Sequence, residues 1–331
     1  MKIAFILSNT VFSPTNGVVS QAKTWKKGLE DLGHKVILIN MWEQNDWKSF
    51  DVIHFFNFSE YMAGFIGLLY PINPNIVLSP ILDPDYSTMA LKLYSHWGSQ
   101  KLRLTNPFYK LRTIKHLIKT YFVRSEFEKE YMAKGFDIEP SHCCIVPLSY
   151  GIQPPDILIE KEPFCLHISL LLDKRKNVKR LIDAADKYQF KLVLAGKLRD
   201  EQEQTTLSQW LQGTNTVEYR GYISDEEMKN LYSKAKVFAL PSINEGVGIV
   251  ALEAAAFGCD IVVTKLGGPK EYYADMAATI NPYSVDEIGK AVKRYIDGDT
   301  HQPQLQQYIQ KQYSLSSVCG QLVYAYKKLQ N

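Results

Sequence analysis

The hydrophobic pattern of the first part of the chain alternates between short apolar runs and amphipathic segments. KIAFILS, HKVILIN and DVIHFF are almost wholly apolar, which is typical of strands buried on both faces. QAKTWKKGLEDLG, which lies between them, has the apolar spacing of a helix. Buried strands separated by helices predict a parallel sheet and therefore a protein of the α/β class.

The same alternation begins again after a proline-rich stretch near IQPPDILIEKEP, where we predict a linker. Further apolar runs such as FKLVLAG and DIVVTK then alternate with helical segments. Two such halves are expected to bind a ligand beyond the carboxyl ends of their strands. We predict a first domain over residues 1–152, a second over 153–310, and a last helix over 311–331 that packs back toward the first domain.

Composition limits the classes of protein that this chain can represent. Its 331 residues, 46% of them hydrophobic, are enough for two packed cores. A formal charge of +3 is too small for a protein that covers its whole surface with nucleic acid. The five cysteines include no CxxC pair, which disfavours disulfides or zinc and fits a reducing compartment. We expect a cytoplasmic protein, with peripheral attachment to the inner face of the membrane left open.

The stretch NEGVGIVALEAAAFG carries the most informative chemistry. It predicts a glycine turn at Gly246 and Gly248 that opens a helix, with one acid before the turn, Glu245, and one within the helix, Glu253. A helix start carries partial positive charge, and glycines let the backbone approach a phosphate closely. Carboxylates accept hydrogen bonds from hydroxyls. The stretch therefore suits a diphosphate with a sugar on each side.

Two other interpretations of this stretch remain open. The glycines could form an ordinary turn before a capped helix. Gly246, Gly248 and Ala251 also fit GxGxxA, and Glu271 lies where an acid would hold a ribose, so an NAD(P)-dependent oxidoreductase is a second alternative. Against this, the match lies late in the chain, and Glu245 has no role in a dinucleotide site.

Residues 217–283 resemble the family 4 retaining glycosyltransferases of the GT-B fold. The family's EX7E motif is present as Glu245 and Glu253, and its GGxxE motif as Gly267, Gly268 and Glu271. The resemblance implies two Rossmann-like doubly wound domains facing a cleft. It also implies transfer of a hexose from a nucleotide-diphosphate sugar to a hydroxyl acceptor with retention of configuration. UDP is favoured because it is the commonest donor of the family.

The resemblance also implies roles for single residues. Glu245 would hold the hexose hydroxyls and Glu253 the ribose, and Glu245 is a catalytic candidate together with Lys176. The remaining donor-binding candidates would contact the phosphate, the sugar or the base, and they are Gly246, Val247, Gly248 and Tyr222. The acceptor is expected to be a glycan or a lipid-linked saccharide in cell-surface polysaccharide synthesis.

SLLLDKRKNVKRL resembles the segment in which the family neutralises the donor diphosphate with an arginine and a lysine. The lysine is present as Lys176, but the arginine position holds Leu171. Arg175 is a candidate to supply the missing charge. The departure leaves open a catalytically weak protein that only binds sugar nucleotides.

The first domain offers further candidates. Asn16 and Gly17 resemble the family's first glycine loop, which would border the leaving phosphate. His54 resembles a family histidine on the acceptor side, although a buried strand residue is the alternative. The stretch with Asp83 and Asp85 is similar to one in which many family members carry a His-Asp pair near the reacting carbon. The histidine is absent here, and the resemblance implies acceptor binding by the two aspartates, with a proline-fixed turn as the alternative. DxD is also a metal motif of the other major glycosyltransferase fold, but the GT-B resemblance implies no obligatory metal and no cofactor besides the donor.

Residues 92–124 are strongly basic, since no acid occurs between Asp85 and Glu126. Aromatic side chains are interleaved with the eight basic residues of this stretch, which are Lys92, Lys101, Arg103, Lys110, Arg112, Lys115, Lys119 and Arg124. Such a pattern suits an anionic membrane surface. A solvated helix face and single-stranded RNA are the alternatives, and we expect no nucleic acid.

Overall fold

The computed structural model describes residues 1–7, 17–83, 85–99, 101–155 and 159–329. The chain forms two compact units. The first comprises Met1–Leu148 and Leu315–Asn331, and the second comprises Ser149–Ser314. The first unit is thus built from two separate stretches of sequence.

A parallel sheet forms the centre of the first unit. Its strands within the described ranges are β1 (Lys2–Leu7), β2 (Lys35–Leu38), β3 (Val52–Phe56), β4 (Ile76–Ser79), β5 (Thr120–Val123) and β6 (Cys143–Ile145). Their spatial order is β2-β1-β3-β4-β5-β6, and every neighbouring pair is parallel. The direction of winding reverses between β1 and β3, so the unit is doubly wound as predicted.

Helices cover this sheet. They are α1 (Gly17–Asp31), α2 (Glu60–Leu69), α3 (Thr88–His96), α4 (Pro107–Ile114), α5 (Glu126–Phe136) and the last helix of the chain, α12 (Leu315–Lys328). The last helix packs closely on α1, where a Cβ added at Gly28 would lie 2.5 Å from Sγ of Cys319. Glycine at position 28 therefore permits the close approach of the two helices.

The second unit has a parallel sheet of its own. Its strands in the described part of the chain are β7 (Glu162–Ile168), β8 (Lys191–Ala195), β9 (Val217–Tyr219), β10 (Ala235–Leu240), β11 (Asp260–Thr264) and β12 (Ala278–Ile280). The spatial order is β12-β11-β10-β7-β8-β9. This is the Rossmann order, with the reversal between β7 and β10, where ligands of open α/β sheets bind.

The helices of the second unit differ in how their first turns are capped. They are α6 (Val178–Tyr188), α7 (Glu201–Leu211), α8 (Asp225–Lys234), α9 (Ile249–Ala256), α10 (Val285–Ile296) and α11 (Gln304–Gln312). Serine or aspartate side chains accept the capping bond at α7, α8 and α10. The helix α9 instead starts at Gly248, whose φ is +77°. The site described next is built around this uncapped start.

Candidate functional site

The turn between β10 and α9 requires glycine at position 248. Its φ of +77° lies in the left-handed region, and an added Cβ would come within 2.6 Å of Cδ2 of Leu240. Gly246 and Val247 are buried in the same turn. The first hydrogen bond within α9 runs from the amide of Ala251 to the carbonyl of Gly248. The turn therefore presents the first backbone amides of α9, as the sequence predicts for an anion site.

A second glycine turn holds the backbone of Glu245. Gly267 has a φ of +81°, and a Cβ there would lie 2.3 Å from the carbonyl oxygen of Glu245. Only glycine permits this approach. The first glycine of the GGxxE stretch is thus a packing surface for Glu245, while Glu271 lies in a 3₁₀ turn over Pro269–Tyr272.

Glu245 and Lys176 meet in the second unit. Nζ of Lys176 lies 2.7 Å from Oε2 of Glu245, and the two side chains are 22% and 13% exposed. Oγ of Ser242 donates to the same carboxylate oxygen at 3.2 Å. The ion pair is partly shielded from solvent, so its charges interact more strongly than those of a surface pair. The structure therefore brings the two catalytic candidates together.

Asn177, which the sequence analysis did not single out, fixes the lysine segment in place. Its side-chain amide donates to the carbonyls of Pro241, at 3.0 Å, and Pro282, at 2.6 Å. The amide of Ile243 also donates to the carbonyl of Arg175 at 2.8 Å. These bonds join the loop after β7 to the loop after β10 at the point where the sheet reverses direction.

Glu253 lies in the interior of the second unit and is 7% exposed. The amide of Gly151 donates to its Oε1, and the hydroxyl of Tyr232 donates to its Oε2, each at 3.3 Å. Burial raises the pKa of this carboxyl to about 7, while the two hydrogen bonds act in the opposite direction. Neither Gly151 nor Tyr232 follows from the EX7E spacing, because both lie far from Glu253 in sequence.

The other donor-side candidates differ in their surroundings. Arg175 is exposed and forms an ion pair with Asp173, with Nη2 2.8 Å from Oδ2. Leu171, at the position of the family arginine, is 1% exposed within the hydrophobic core. Tyr222 is 81% exposed. The structure therefore places no cation at position 171 and leaves Arg175 engaged with a neighbouring acid.

The structure corrects the acceptor-side expectation for His54. The residue is wholly buried on β3, with Nδ1 2.5 Å from the hydroxyl of Tyr326 and Nε2 2.8 Å from Oγ of Ser79. Its ring stacks on Phe56 at a centroid distance of 4.3 Å. Burial lowers its pKa to about 3. With both nitrogens bonded inside the protein, His54 is a core residue, which was the alternative interpretation.

Asp83, whose side chain is 39% exposed, pairs with Arg124 at the edge of a buried ion pair that the sequence did not reveal. Nε of Arg124 lies 2.9 Å from Oε2 of Glu128, and its Nη2 lies 3.3 Å from Oδ1 of Asp83. Glu128 also accepts hydrogen bonds from the backbone amides of Leu82 and Arg124, each at 2.7 Å. Asp85 donates its amide to the carbonyl of Asp83 at 2.8 Å. This network follows the carboxyl ends of β4 and β5.

The first glycine loop is described only in part. Asn16 lies outside the described residues. Gly17 is exposed and is the first residue of α1, and a Cβ added to it would meet no atom within 4 Å. Its phosphate role stays a prediction.

The basic stretch divides into paired and exposed residues. Asp137 is within ion-pair distance of Lys92, His96 and Arg112. Arg124 is buried in the network with Glu128, which removes it from the surface predicted to meet a membrane. The side chains of this stretch that remain exposed include the apolar Leu93, Trp97, Leu102 and Leu104, together with the basic Lys101 and Arg103.

The described residues contain neither a membrane-spanning helix nor a cluster of metal ligands. None of the helices described is both long and apolar enough to cross a bilayer. Within the same residues, no group of three or more histidine, cysteine or acidic side chains is arranged to hold a metal ion. The expectation of a metal-independent protein stays a prediction.

Residues 152–312 match the family described as glycosyl transferases group 1. O-antigen chain mannosyltransferase B of Escherichia coli is 27% identical over 145 residues, which are 41% of this chain and 38% of the relative. The match therefore spans well under half the length of that relative. It favours the sugar-nucleotide interpretation of the glycine turn over the dinucleotide one.

Two solved structures resemble the whole chain. Sucrose-phosphate synthase from Thermosynechococcus elongatus has a TM-score of 0.72 at 15% identity, with 99% of each chain covered. HepE from Anabaena, solved in complex with UDP and glucose, has a TM-score of 0.67 at 15% identity and covers 99% of this chain and 100% of its own. The predicted α/β architecture of the GT-B type is thus confirmed.

Proposed function

We propose that this chain, a GT-B protein with a group 1 glycosyl transferase match over residues 152–312, transfers a hexose from a nucleotide-diphosphate sugar to a hydroxyl acceptor with retention of configuration. The observation that carries the proposal is the Lys176–Glu245 ion pair beside the glycine turn that opens α9. A cation, a carboxylate and a helix start in one place match the diphosphate and the hydroxyls of such a donor.

Charge stabilisation is the main task in breaking the bond between sugar and diphosphate. Negative charge develops on the leaving diphosphate, and the amides at Gly248 and Ile249 together with the amine of Lys176 would stabilise it. Lys176 would then exchange its present partner, Glu245, for the donor. Glu245 would turn its carboxylate to the hexose hydroxyls, which are hydrogen-bond donors. The leaving phosphate itself would accept the proton of the acceptor hydroxyl.

The proposal for the donor concerns both its nucleotide and its hexose. Glu253 would hold the ribose hydroxyls, with Tyr222 beside the base. We favour a UDP-sugar, which is consistent with the UDP and glucose bound to HepE of Anabaena. The mannosyltransferase relative makes mannose the second hexose to test.

For the acceptor we propose a glycan or lipid-linked saccharide in cell-surface polysaccharide synthesis, in line with the O-antigen relative. Asp83 and Asp85 are the acceptor-side candidates that remain after His54. Arg124 fixes the position of Asp83 through their ion pair.

We further propose that the first unit binds an anionic membrane surface on the cytoplasmic side. The support is the exposed group formed by Leu93, Trp97, Lys101, Leu102 and Arg103. Apolar and aromatic side chains can enter the interface while nearby cations bind anionic headgroups. Such a surface would place the enzyme next to a lipid-linked acceptor.

A sugar-nucleotide binder with weak transferase activity is the second candidate. The buried leucine at position 171 and the pairing of Arg175 with Asp173 leave Lys176 as the one family cation kept in this segment. This candidate predicts donor binding with little turnover.

A donor panel separates the candidates. Melting temperature is measured with UDP-, GDP- and ADP-sugars, because a ligand that binds the native state raises it. Transfer and hydrolysis are then assayed with each donor that binds. Binding with transfer supports the enzyme, whereas binding without turnover supports the weak binder. Absence of binding by every donor contradicts both.

A further inference from the structure

We propose that Tyr232 is a positioning residue for nucleotide recognition, because its hydroxyl orients Glu253 so that the carboxylate selects ribose over deoxyribose. The inference rests on the proposed function, in which Glu253 meets the donor ribose. It assigns a role to a residue that touches neither the sugar nor the reacting atoms.

Both side chains of the Tyr232–Glu253 contact are buried. Tyr232 lies on α8 with no exposed surface, and its hydroxyl donates to Oε2 of Glu253 at 3.3 Å. A buried hydroxyl or carboxylate without a partner is costly, so each group satisfies the other. Burial and the nearby carboxylate raise the pKa of Tyr232 well above its usual value, so the hydroxyl remains a donor at every physiological pH.

The surroundings of Tyr232 fix the direction of this bond. Its ring packs against Phe238 and Phe257, with centroid distances of 5.9 and 5.5 Å. The carbonyl of Tyr232 accepts from Nζ of Lys161 at 2.9 Å, which holds the end of α8. A ring held by packing on two sides cannot turn its hydroxyl away without moving the core. The hydroxyl therefore sets the plane of the Glu253 carboxylate.

The remaining hydrogen-bonding capacity of Glu253 matches a diol. Oε2 accepts from Tyr232 and Oε1 accepts from the amide of Gly151, so each oxygen uses one bond within the protein. An ionised carboxylate offers about four acceptor sites, which leaves about one on each oxygen. Two neighbouring acceptors suit the adjacent 2′- and 3′-hydroxyls of ribose. A deoxyribose would leave one of them unpaired, and leaving a buried polar group unpaired is what discriminates against an analogue.

Among the described residues, the carboxylate of Glu253 is stabilised by the neutral donors Gly151 and Tyr232 and not by a nearby cation. Asp225, on α8, is the charged residue that acts on Glu253, and it opposes ionisation. At the far end of α9, Lys161 bonds to the carbonyl of Phe257, and Gln306 bonds to that of Ala256. In the described chain, no lysine or arginine forms an ion pair with Glu253. Removing the hydroxyl of Tyr232 should therefore both misplace the carboxylate and favour its protonated form.

The test compares ribo- and deoxyribonucleotide diphosphates on the full chain. Binding of UDP and 2′-deoxy-UDP, and of the matching GDP and ADP pairs, is measured by calorimetry at pH 8. We expect the native protein to prefer the ribonucleotide by at least about tenfold. Tyr232→Phe should reduce that preference to about threefold or less, while its affinity for the deoxynucleotide stays within about twofold of native and turnover at saturating donor changes little.

Tyr295→Phe is the matched control, because Tyr295 is equally buried but lies on α10. This variant should keep the native preference. A Tyr232→Phe protein that discriminates as strongly as the native chain overturns the inference. So does a native chain that binds both sugars equally well, although the proposed function would stand. If no nucleotide diphosphate binds the native chain, the proposed function fails as well.

A second measurement does not depend on folding of the variant. The ratio of ribo- to deoxyribonucleotide affinity is followed in the native protein between pH 5.5 and 8.5, since the phosphates of both ligands titrate alike. The ratio should rise with pH as Glu253 ionises, because the ionised carboxylate accepts from both hydroxyls. A ratio that stays near one at every pH in this range overturns the inference.

Discussion

Nζ of Lys176 and Oε2 of Glu245 lie 2.7 Å apart, although the two residues are 69 positions apart in the chain. Each was a candidate for a different part of the donor, the lysine for the diphosphate and the glutamate for the hexose. Their pairing keeps both charges compensated in a partly buried place when no donor is present. A donor would separate them and supply each with a new partner.

Lys176→Ala should lower kcat by about 10²- to 10³-fold, because it removes a charge that stabilises the leaving diphosphate. Lys174→Ala is the control, since Lys174 lies in the same 3₁₀ turn but is exposed. Turnover is measured with the donor identified by the panel. A Lys176→Ala enzyme within about threefold of native would contradict the role of the lysine.

Gly267→Ala should destabilise the second unit more than the same substitution at another glycine with a similar φ. At position 267 the new Cβ would lie 2.3 Å from the carbonyl oxygen of Glu245, whereas at Gly213, with φ of +83°, it would meet no atom within 4 Å. Gly213→Ala should cost about 1 kcal/mol from backbone strain alone. Gly267→Ala should cost at least ~2 kcal/mol more, measured by urea unfolding. Equal costs would show that the turn at Gly267 is not tightly packed against Glu245.

Glu253→Gln should stabilise the protein at high pH while weakening donor binding. The pKa of Glu253 is raised to about 7 in the folded state, above its unfolded value, so the native chain loses stability as pH rises from about 4.5 to 7. The variant lacks this loss and should be more stable than native at pH 8 by about 2–3 kcal/mol, but similar at pH 4.5.

Chemical unfolding at both pH values measures this difference. Glu226→Gln, an exposed change on α8, is the control and should follow the native curve. A difference in unfolding free energy between native and Glu253→Gln that does not grow with pH would show that the pKa of Glu253 is not raised by burial.

Arg124→Met should be strongly destabilising, because it leaves Glu128 buried without its cation. We expect a loss of about 3–5 kcal/mol, and Arg124→Met combined with Glu128→Gln should recover part of it. Stability of the native chain, both single variants and the double variant gives the coupling energy. Additive effects would mean that the pair does not act as a unit.

Lys101→Glu with Arg103→Glu should weaken binding to vesicles of phosphatidylcholine and phosphatidylglycerol. Both residues are exposed in the part of the basic stretch that carries exposed apolar side chains. Lys229→Glu with Lys290→Glu changes the net charge equally in the second unit and is the control. Co-sedimentation measures binding, and equal loss in both double variants would indicate a general charge effect rather than a membrane surface.

The fold was predictable where the hydrophobic pattern is clear. The buried strands are continuous apolar runs, and the doubly wound order follows from their alternation with helices. The helix α3 was not predicted, because Met89 and Leu93 are exposed and blur the apolar period that marks a helix.

The site was predictable only in its local parts. The spacing of Glu245, Gly248 and Glu253 follows from a turn and a helix that are adjacent in sequence. The partners of the two acids, Lys176 and Tyr232, come from other loops and helices, and only the tertiary structure shows which groups meet. His54 shows the converse limit, because a histidine on an apolar strand has the same sequence pattern whether it binds an acceptor or fills the core.

The discontinuous first unit has a consequence for synthesis on the ribosome. Tyr326, on α12, supplies a bond to His54 that the unit needs inside its core. The preceding part of the chain is synthesised before α12 and cannot complete this core until α12 has also been made. The second unit, by contrast, is one uninterrupted stretch and can fold first. A nascent chain should therefore complete the fold of its second unit before that of its first.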